Sequence, residues 1–302
     1  MEKVIVITGP TGVGKTELSL KIASMYNGEI INADASQFKK DLNIGTAKID
    51  INSVSVKHHL IDIIEATEMF SINDFQKEAR LIIDKIVKDG KTPFLVGGTG
   101  LYINACLNEY HLDSSKHDLM FEEKYQDYSN EKLHDVLKEV DYNASLNIHC
   151  NNRRRVLRAI ELALEGKSIS YNIDGDKPFY DSLIICLNTD REILYDRINK
   201  RCKMMLEEGW IEECRSLKEK GIDLQKIKDI GYSDIDLYLN GDISIEQVEE
   251  IIAKKTRNYA KRQITWMKNK MKSVFVNIDY DDINNTIEEV KELVDNFLEE
   301  KN

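Results

Sequence analysis

The sequence predicts an α/β protein in which a parallel sheet is flanked by helices and carries a small helical insertion. Short apolar runs alternate with segments of helical periodicity in the first hundred residues and again after residue 180. Strands separated by helices are typical of βαβ units, which build parallel sheets. Residues 108–145 are polar, rich in aromatic side chains and without a strand pattern. We therefore expect a core of residues 1–107 and 146–302, interrupted by a helical insertion at 108–145.

The individual elements follow from the spacing of apolar residues. Short runs of mostly aliphatic residues predict strands, at 4–7, 29–32, 94–96, 183–187 and 274–278. Apolar side chains three and four residues apart predict helices, at 16–25, 71–88, 245–272 and from 283 onwards. Ser71, with Asp74 three residues on, is a favourable N-cap for the second helix. Residues 151–239 have a mostly helical pattern around the fourth strand.

Composition and charge narrow the class of protein. Hydrophobic residues make up 42% and charged residues 31%, and 42 basic against 53 acidic side chains give a net charge of −11. This composition is typical of a globular protein, and the charge excludes a uniformly basic coat for nucleic acid but not a local basic patch. No apolar run approaches a membrane span, no signal peptide is recognisable, and the five scattered cysteines suggest reduced thiols. We expect a cytoplasmic protein, monomeric by default.

A phosphate-binding loop follows the first predicted strand. The residues match G-x-x-x-x-G-K-[ST] without a mismatch: Gly9-Pro10-Thr11-Gly12-Val13-Gly14-Lys15-Thr16. Glycines let successive N–H groups converge on phosphate oxygens, and the helix N-terminus adds partial positive charge. Lys15 supplies a cation, and the Thr16 hydroxyl can hold Mg²⁺. The motif therefore predicts a P-loop NTPase-like core that binds a diphosphate group, whether or not that group belongs to a nucleotide.

Two further segments follow predicted strands of the same sheet. Asp34 lies just past the second strand, and Gly97-Gly98-Thr99-Gly100 follows the third. Because parallel strands end at one edge of a sheet, we expect both segments to face the phosphate site. Asp34 could hold metal-bound water, act as a general base, or simply cap a turn. The glycines could admit a flat ligand beside the Thr99 hydroxyl, or form a tight turn and nothing more.

A basic stripe stands out in this acidic chain. Residues 254–272 contain eight basic residues and no acidic one, with aromatic residues interleaved. Helical spacing places Lys255, Tyr259, Arg262 and Trp266 on one face. Cations beside flat rings suit phosphates and unstacked bases, although a solvated face with aromatics in the core is the plainer interpretation. Together with the arginines at 153–158 and the phosphate loop, the stripe favours RNA binding through Lys255, Arg257, Tyr259, Arg262 and Trp266.

These motifs, taken in order, resemble one family. They are Gly9–Thr16, Asp34-Ala35-Ser36-Gln37, Ile44-Gly45-Thr46-Ala47-Lys48, His58-His59-Leu60-Ile61-Asp62, Phe75-Gln76, Leu95–Tyr102, Asn151–Glu161, Ile230-Gly231-Tyr232 and Thr256–Trp266. The chain resembles the bacterial tRNA dimethylallyltransferases over nearly its whole length. That resemblance implies transfer of a dimethylallyl group from dimethylallyl diphosphate to N6 of the adenosine on the 3′ side of the tRNA anticodon.

The resemblance also implies roles for individual residues. Asp34 would accept the N6 proton, Thr99 would contact the adenosine, and Arg201 would bind diphosphate, with Arg197 as the rival candidate. The tRNA would meet Asp34, Ala35, Ser36, Gln37, Thr99 and Arg158, and the insertion would contact the anticodon stem. The partners implied are tRNA and dimethylallyl diphosphate, with Mg²⁺ as cofactor. His58 and His59 are motif members whose role the pattern leaves open.

The sequence departs from the family in one informative segment. The family usually reads Asp-Ser-Met-Gln-Val-Tyr where this chain has Asp34-Ala35-Ser36-Gln37-Phe38-Lys39. Asp34 and Gln37 are retained, so we expect the change to affect tRNA preference more than chemistry. Three other functions stay open at this point: an AMP or ADP isopentenyltransferase, a P-loop nucleotide kinase or NTPase, and a non-catalytic RNA-binding protein.

Overall fold

A computed structural model describes residues 1–109, 119–168 and 177–300. The chain divides into two compact units, one formed by Met1–Leu107 with Phe179–Asn302 and the other by Asn108–Pro178. The smaller unit begins where the predicted insertion begins, but it continues to residue 178 instead of 145. Part of the predicted insertion, residues 110–118, lies outside the described residues.

The larger unit is built on a six-stranded sheet. In chain order, β1 to β6 are Lys3–Thr8, Gly28–Asn32, His58–His59, Thr92–Gly97, Asp181–Asn188 and Val274–Asn277. The helices α1 to α12 are Lys15–Met25, Ile72–Lys88, Gly100–Leu107, Leu119–Lys124, Asn130–Val140, Tyr142–Asn147, Arg153–Leu164, Arg191–Glu207, Trp210–Glu219, Tyr232–Leu239, Ile245–Lys270 and Ile283–Glu299. Helices α4 to α7 belong to the smaller unit.

Every strand pair in the sheet is parallel, and the strand order is β3-β2-β4-β1-β5-β6. The central strand β1 is buried on both faces. Ile5 and Ile7 join a core with α1, α8 and α12, whereas Val4 and Val6 join a second core with α2 and α3. This alternation is the reason that the strand reads as a continuous apolar run in the sequence.

The smaller unit has a core of its own. Leu133 and Leu137 of α5 pack in one apolar cluster with Val156 and Ile160 of α7. This packing explains why the unit extends past residue 145: the arginine-rich helix α7 supplies four of the nine buried residues of its core. Arg153 donates to the backbone carbonyls of Tyr125 and Tyr128, so this arginine serves the unit's own structure.

The sequence located most of the regular elements. The five predicted strands are confirmed, α11 runs almost as expected, and Ser71 and Asp74 form a reciprocal capping box at the start of α2. The short strand β3 was missed, because its two histidines carry no strand pattern and pair with β2 at the sheet edge. Within the described residues, no helix is long and apolar enough to cross a membrane.

The sheet brings the motif residues to one edge. The phosphate loop follows β1, Asp34 follows β2, and the glycine loop follows β4, and these three strands are neighbours. Thr99 N donates to the Ala33 carbonyl, and Ala33 N donates to the Val96 carbonyl. The ends of β2 and β4 are therefore joined by backbone hydrogen bonds beside the phosphate loop.

Candidate active site

The phosphate loop has the backbone that an anion site requires. Gly12 and Gly14 have φ angles of 83° and 105°, a left-handed region that side chains disfavour. Helix α1 begins at Lys15, and Gly14 gives it no side-chain cap. The first N–H groups of a helix have no partner within the helix. These groups, together with the positive end of the helix dipole, are therefore available to an anion.

The loop is braced from its outer side. Arg197 Nε donates to the Gly12 carbonyl at 3.0 Å, and the Tyr280 hydroxyl donates to the Val13 carbonyl at 3.0 Å. The Arg197 guanidinium also lies over the Tyr280 ring, 4.1 Å from its centroid. Side chains of α8 and of the segment after β6 therefore hold two consecutive carbonyls of the loop.

Lys15 lies folded back on the loop. Its Nζ donates to the carbonyls of Gly9 at 3.0 Å and Pro10 at 2.9 Å. Burial lowers the pKa of Lys15 to about 8; Asp34 opposes this shift and Arg201 reinforces it. A diphosphate in the loop would favour the charged ammonium and raise that pKa again.

The structure separates the two candidate arginines of α8. Arg197 is engaged by Gly12 and Tyr280, as described above. Arg201 Nη1 lies 3.5 Å from the Thr11 hydroxyl, and its charge acts on both Lys15 and Asp34. Burial lowers the pKa of Arg201 and Asp34 opposes the shift. Arg201 therefore shares the electrostatic environment of Lys15 and Asp34, whereas Arg197 supports the loop from outside.

Asp34 is held by hydrogen bonds to the residues on either side of it. It caps the short 3₁₀ helix Ala35–Phe38 by accepting from Ser36 N at 3.2 Å. The buried Asn32 side chain accepts from Asp34 N at 2.9 Å and donates to its carbonyl. Burial raises the pKa of Asp34 above the usual aspartate value, while Lys15, the Ser36 amide and Arg201 oppose the rise. A carboxylate with a raised pKa accepts a proton more readily.

Thr99 is bonded to the segment that follows Asp34 and lies close to α11. Its hydroxyl oxygen accepts from Ala35 N at 3.2 Å. Tyr259 of α11 lies close enough to Thr99 and Asp34 for both to act on its pKa, which burial raises. Thr99 at the end of β4 and Tyr259 of the basic stripe are therefore neighbours at this site.

The glycine loop is crowded by the protein itself. A Cβ at Gly97 would lie 2.2 Å from the Ala33 backbone, one at Gly98 would lie 2.3 Å from the Gln263 amide, and one at Gly100 would lie 2.3 Å from the Trp266 indole. The flat group that approaches this backbone is thus the Trp266 ring. We expected the glycines to leave room for a flat ligand. In the structure, the Ala33 backbone and the Gln263 and Trp266 side chains fill that space instead.

Gln263 is a site residue that sequence reasoning missed. Its Oε1 accepts from Thr11 N at 2.9 Å, and its Nε2 donates to the Gly98 carbonyl at 2.9 Å. It lies in the buried stripe Ala260, Gln263 and Met267 of α11. An amide within an otherwise apolar stripe is the sequence pattern that could have revealed it.

The basic stripe of α11 does not form one uniform surface. Lys255 contacts both carboxylate oxygens of the buried Asp234, at 2.7 and 2.8 Å, and Arg257 hydrogen-bonds Asn199. A separate exposed groove is lined by Asn258, Lys261, Arg262, Thr265, Trp266, Asn269 and Lys270. The groove thus includes Arg262 and Trp266 of the predicted set, whereas Lys255 and Arg257 are engaged within the protein.

The remaining predicted tRNA contacts lie in two places. Ala35, Ser36 and Gln37 form the 3₁₀ helix behind Asp34 and are partly exposed. Arg158 lies on α7 of the smaller unit and pairs with Glu161 at 2.6 Å.

In the altered segment after Asp34, Lys39 pairs with an acidic residue far away in the sequence. Lys39 forms a 2.7 Å ion pair with Asp229, and the two side chains are only 10% and 12% exposed. Asp229 also contributes to the raised pKa of Asp34. The residue that departs from the family pattern therefore makes a buried long-range contact close to the base.

The Gly45–Lys48 motif is fixed by a carboxylate. Glu213 of α9 accepts from Asn43 N at 2.8 Å, Ile44 N at 2.7 Å and the Tyr232 hydroxyl at 2.8 Å. A Cβ at Gly45 would collide with Trp210. This motif and Ile230–Tyr232 thus hold the loop after Asp34 against the C-terminal helices.

The two histidines of β3 have different surroundings. His59 Nε2 contacts the buried Glu29 at 2.6 Å. Burial raises the pKa of Glu29, but hydrogen bonds from Lys91, His59 and Lys57 bring it down to about 2. His59 therefore belongs, with Lys57 and Lys91, to the set of side chains that surround Glu29. His58 lines a cavity beside the phosphate loop together with Lys15, Thr16, Asn32, Asp34 and Gln37.

The fold and the loop define the class of this protein: it is an α/β protein of the P-loop type with a carboxylate and a hydroxyl at the adjoining strand ends. The family model for IPP transferases matches residues 37–270. The chain belongs to the IPP transferase family.

Two similar proteins share one name and match 89% and 99% of this chain. The tRNA dimethylallyltransferase of Bacillus pumilus is 45% identical over 279 residues, covering 89% of this chain and 88% of that protein. The tRNA dimethylallyltransferase of Halalkalibacterium halodurans is 39% identical over 310 residues, covering 99% of both.

Solved structures show the same fold. The tRNA delta(2)-isopentenylpyrophosphate transferase of Staphylococcus epidermidis is 37% identical with a TM-score of 0.74, and the match covers 98% of this chain and 99% of that one. A eukaryotic dimethylallyltransferase acting on tRNA is 27% identical with a TM-score of 0.82, covering 98% of this chain and 80% of that one.

Proposed function

We propose that this protein transfers a dimethylallyl group from dimethylallyl diphosphate to N6 of the adenosine on the 3′ side of the tRNA anticodon. The observation that carries the proposal is the meeting of a phosphate loop, Asp34 and Thr99 at three adjoining strand ends. The relatives are tRNA dimethylallyltransferases. A carboxylate beside a diphosphate site suits attack by an amine that loses a proton as the bond forms.

The amine needs a base because its lone pair is delocalised into the adenine ring. Asp34 would accept the N6 proton as nitrogen bonds to the allylic carbon and the carbon–oxygen bond to diphosphate breaks. Its capped position and raised pKa fit that role. Thr99 would contact the adenosine from the neighbouring strand end. The target base must leave the anticodon-loop stack to reach these groups.

The leaving diphosphate would be bound by the loop Gly9–Thr16, with Lys15 and Arg201 as its cations. Lys15 must then give up its two carbonyl contacts in favour of phosphate oxygens. The Thr16 hydroxyl offers one oxygen for Mg²⁺, which is usually bound through few protein ligands together with phosphate oxygens and water. Bound Mg²⁺ would help to neutralise charge on the leaving group.

The tRNA surface would combine several regions. The exposed α11 groove offers Lys261 and Arg262 beside Trp266, a combination that suits phosphates and unstacked bases. The 3₁₀ helix behind Asp34 would meet the anticodon loop, and the smaller unit, with Arg158, would contact the anticodon stem. We expect a monomeric cytoplasmic enzyme; sedimentation of the purified protein tests the oligomeric state.

The test is an incubation of the purified protein with Mg²⁺, dimethylallyl diphosphate and unmodified tRNA, followed by digestion and mass analysis for N6-prenylated adenosine. Asp34→Asn is the matched variant, because an amide oxygen can still accept from Ser36 N while the basic carboxylate is lost. We expect product from wild type and a rate lower by about 10²- to 10⁴-fold in the variant. Product from AMP but not from tRNA would contradict the proposal, as would ATP turnover without prenyl transfer.

A further inference from the structure

We propose that Gln263 is a positioning residue that sets the spacing between the diphosphate loop and the strand end that carries Thr99. The inference rests on the proposed function and deepens it. In the proposed reaction, the leaving group lies at the phosphate loop and the attacking amine lies near Asp34 and Thr99. A group that fixes the distance between these two places controls the alignment of the reacting atoms.

The contacts of Gln263 fit this role. Its amide oxygen accepts from Thr11 N and its amide nitrogen donates to the Gly98 carbonyl, both at 2.9 Å. The Thr11 backbone needs an acceptor and the Gly98 carbonyl needs a donor, so the amide can satisfy both in a single orientation. One side chain of α11 therefore spans the two loops.

Both ends of this bridge adjoin the reacting groups. The Thr11 hydroxyl lies 3.5 Å from Arg201, which would bind the diphosphate. Gly98 directly precedes Thr99, whose hydroxyl is bonded to the segment behind Asp34. A shift of either end moves a leaving-group contact or a nucleophile contact.

The chemistry of the position argues against a role in packing alone. Gln263 is 6% exposed and lies between Ala260 and Met267, both fully buried. Burying an amide carries a desolvation cost that an apolar side chain of similar size avoids. Gly98 also has no room for a Cβ, because Gln263 Nε2 would lie 2.3 Å away. The amide and the glycine are thus fitted to each other.

Two variants test the bridge. Gln263→Met keeps the volume and removes both hydrogen bonds. Gln263→Asn keeps a donor and an acceptor, but it is one methylene too short to span both loops, and it retains a polar group if the methionine variant folds poorly. The control is Asn104→Leu, which removes the 2.8 Å bond from Asn104 Nδ2 to the Lys270 carbonyl. This control also replaces an amide by an apolar group against α11, but at Lys270, the last residue of that helix, about two turns beyond Gln263.

The readouts separate positioning from stability. We expect the single-turnover rate at saturating substrates to fall about 10- to 100-fold in both Gln263 variants, since small misplacements have effects of that size. We expect the Kd for tRNA to change by less than about threefold, because the buried Gln263 does not face the RNA groove, and Mg²⁺-pyrophosphate binding measured by calorimetry to weaken about three- to tenfold. Asn104→Leu should lower the thermal midpoint comparably while keeping the wild-type rate.

Wild-type single-turnover rates in both Gln263 variants would overturn the role of Gln263, as would an equal loss in Asn104→Leu. Absence of prenyl transfer by the wild-type protein would instead overturn the proposed function. Pyrophosphate binding needs no prenyl transfer, so an unchanged affinity in both Gln263 variants would count against the bridge by itself.

Discussion

At the scale of the residue, the site combines a partly buried carboxylate, Asp34, with two partly buried cations, Lys15 and Arg201. Burial raises the pKa of Asp34 and lowers that of Lys15, whereas the attraction between the two groups opposes both shifts. The proposed reaction needs the carboxylate without its proton and the ammonium with its proton. These opposite requirements make the pH dependence of the rate informative.

We expect a bell-shaped pH profile of kcat/KM for dimethylallyl diphosphate. The acid limb reports protonation of Asp34 and lies above the ordinary aspartate pKa of about 3.9. The alkaline limb reports loss of the Lys15 proton near pH 8. In kcat the alkaline limb should move up, because bound diphosphate favours the ammonium.

The control for this profile is Lys15→Arg, which keeps the charge at every accessible pH. Its lower activity is expected, but the alkaline limb of kcat/KM should disappear. An unchanged alkaline limb in this variant would show that another group titrates there.

Local chemistry explains which site residues could be predicted from the sequence. The phosphate loop and Asp34 are defined by neighbouring residues and by the end of a strand, so their pattern is visible in one dimension. Gln263 and the Lys39–Asp229 pair depend on partners more than a hundred residues away. No local spacing reveals such contacts, although a polar residue in a buried stripe and an unusual lysine mark both positions.

At the scale of the element, α11 is the helix against which the glycine loop packs. Gly100 is the first residue of α3, and its missing Cβ leaves room for the Trp266 indole. The helix propensity of alanine is better than that of glycine by about 1 kcal/mol. Helix propensity alone would therefore make Gly100→Ala stabilising. A loss of stability in this variant would reflect the collision of the new Cβ with Trp266 of α11.

We expect Gly100→Ala to lower the free energy of unfolding by about 1–3 kcal/mol, the usual cost of overpacking. In a Trp266→Leu background the same change should cost much less, because the ring that it meets is gone. A double-mutant cycle in denaturant measures this coupling. Additive effects of the two substitutions would contradict the proposed collision.

The pair Lys39–Asp229 gives a second prediction for an element, the segment that follows Asp34. Lys39→Met leaves a buried carboxylate without its cation and should destabilise the fold by about 3–5 kcal/mol. The double variant Lys39→Met with Asp229→Leu should recover most of that loss, since no charge is left unpaired. Chemical denaturation of the wild type, the single variant and the double variant measures the free energy of unfolding. Equal losses in the single and double variants would contradict this prediction.

At the scale of the whole molecule, an acidic protein is proposed to bind an acidic polymer. The net charge of −11 repels tRNA at long range, so binding must depend on local cations such as those of the α11 groove. Each phosphate contact releases counterions and makes the affinity depend on salt.

We expect the double charge reversal Lys261→Glu with Arg262→Glu to weaken tRNA binding strongly and to reduce the slope of log Kd against log salt by about 1–2. Lys291→Glu on the acidic helix α12 changes charge in the same sense at an exposed site, where Lys291 lies 3.6 Å from Asp295. That control should leave the slope unchanged. An equal loss in the control would indicate that net charge, and not the groove, governs binding.

The fold class and the start of the insertion could be predicted from the sequence, because alternating strand and helix patterns are local. The end of the smaller unit could not, because α7 reads as an ordinary amphipathic helix. Its assignment depends on Val156 and Ile160 packing against α5. That pairing is a property of tertiary structure.

The chain leaves the larger unit and re-enters it at neighbouring residues. Within the larger unit, Phe179 N and Tyr180 N both donate to the Leu107 carbonyl, at 2.8 and 3.3 Å. Within the smaller unit, Glu109 N likewise donates to the Lys177 carbonyl. Because the two ends of the smaller unit are close together, a unit of another length or charge can replace it at these residues while the sheet keeps its strand register. Evolution could thereby change the choice of RNA while the reaction chemistry stayed the same.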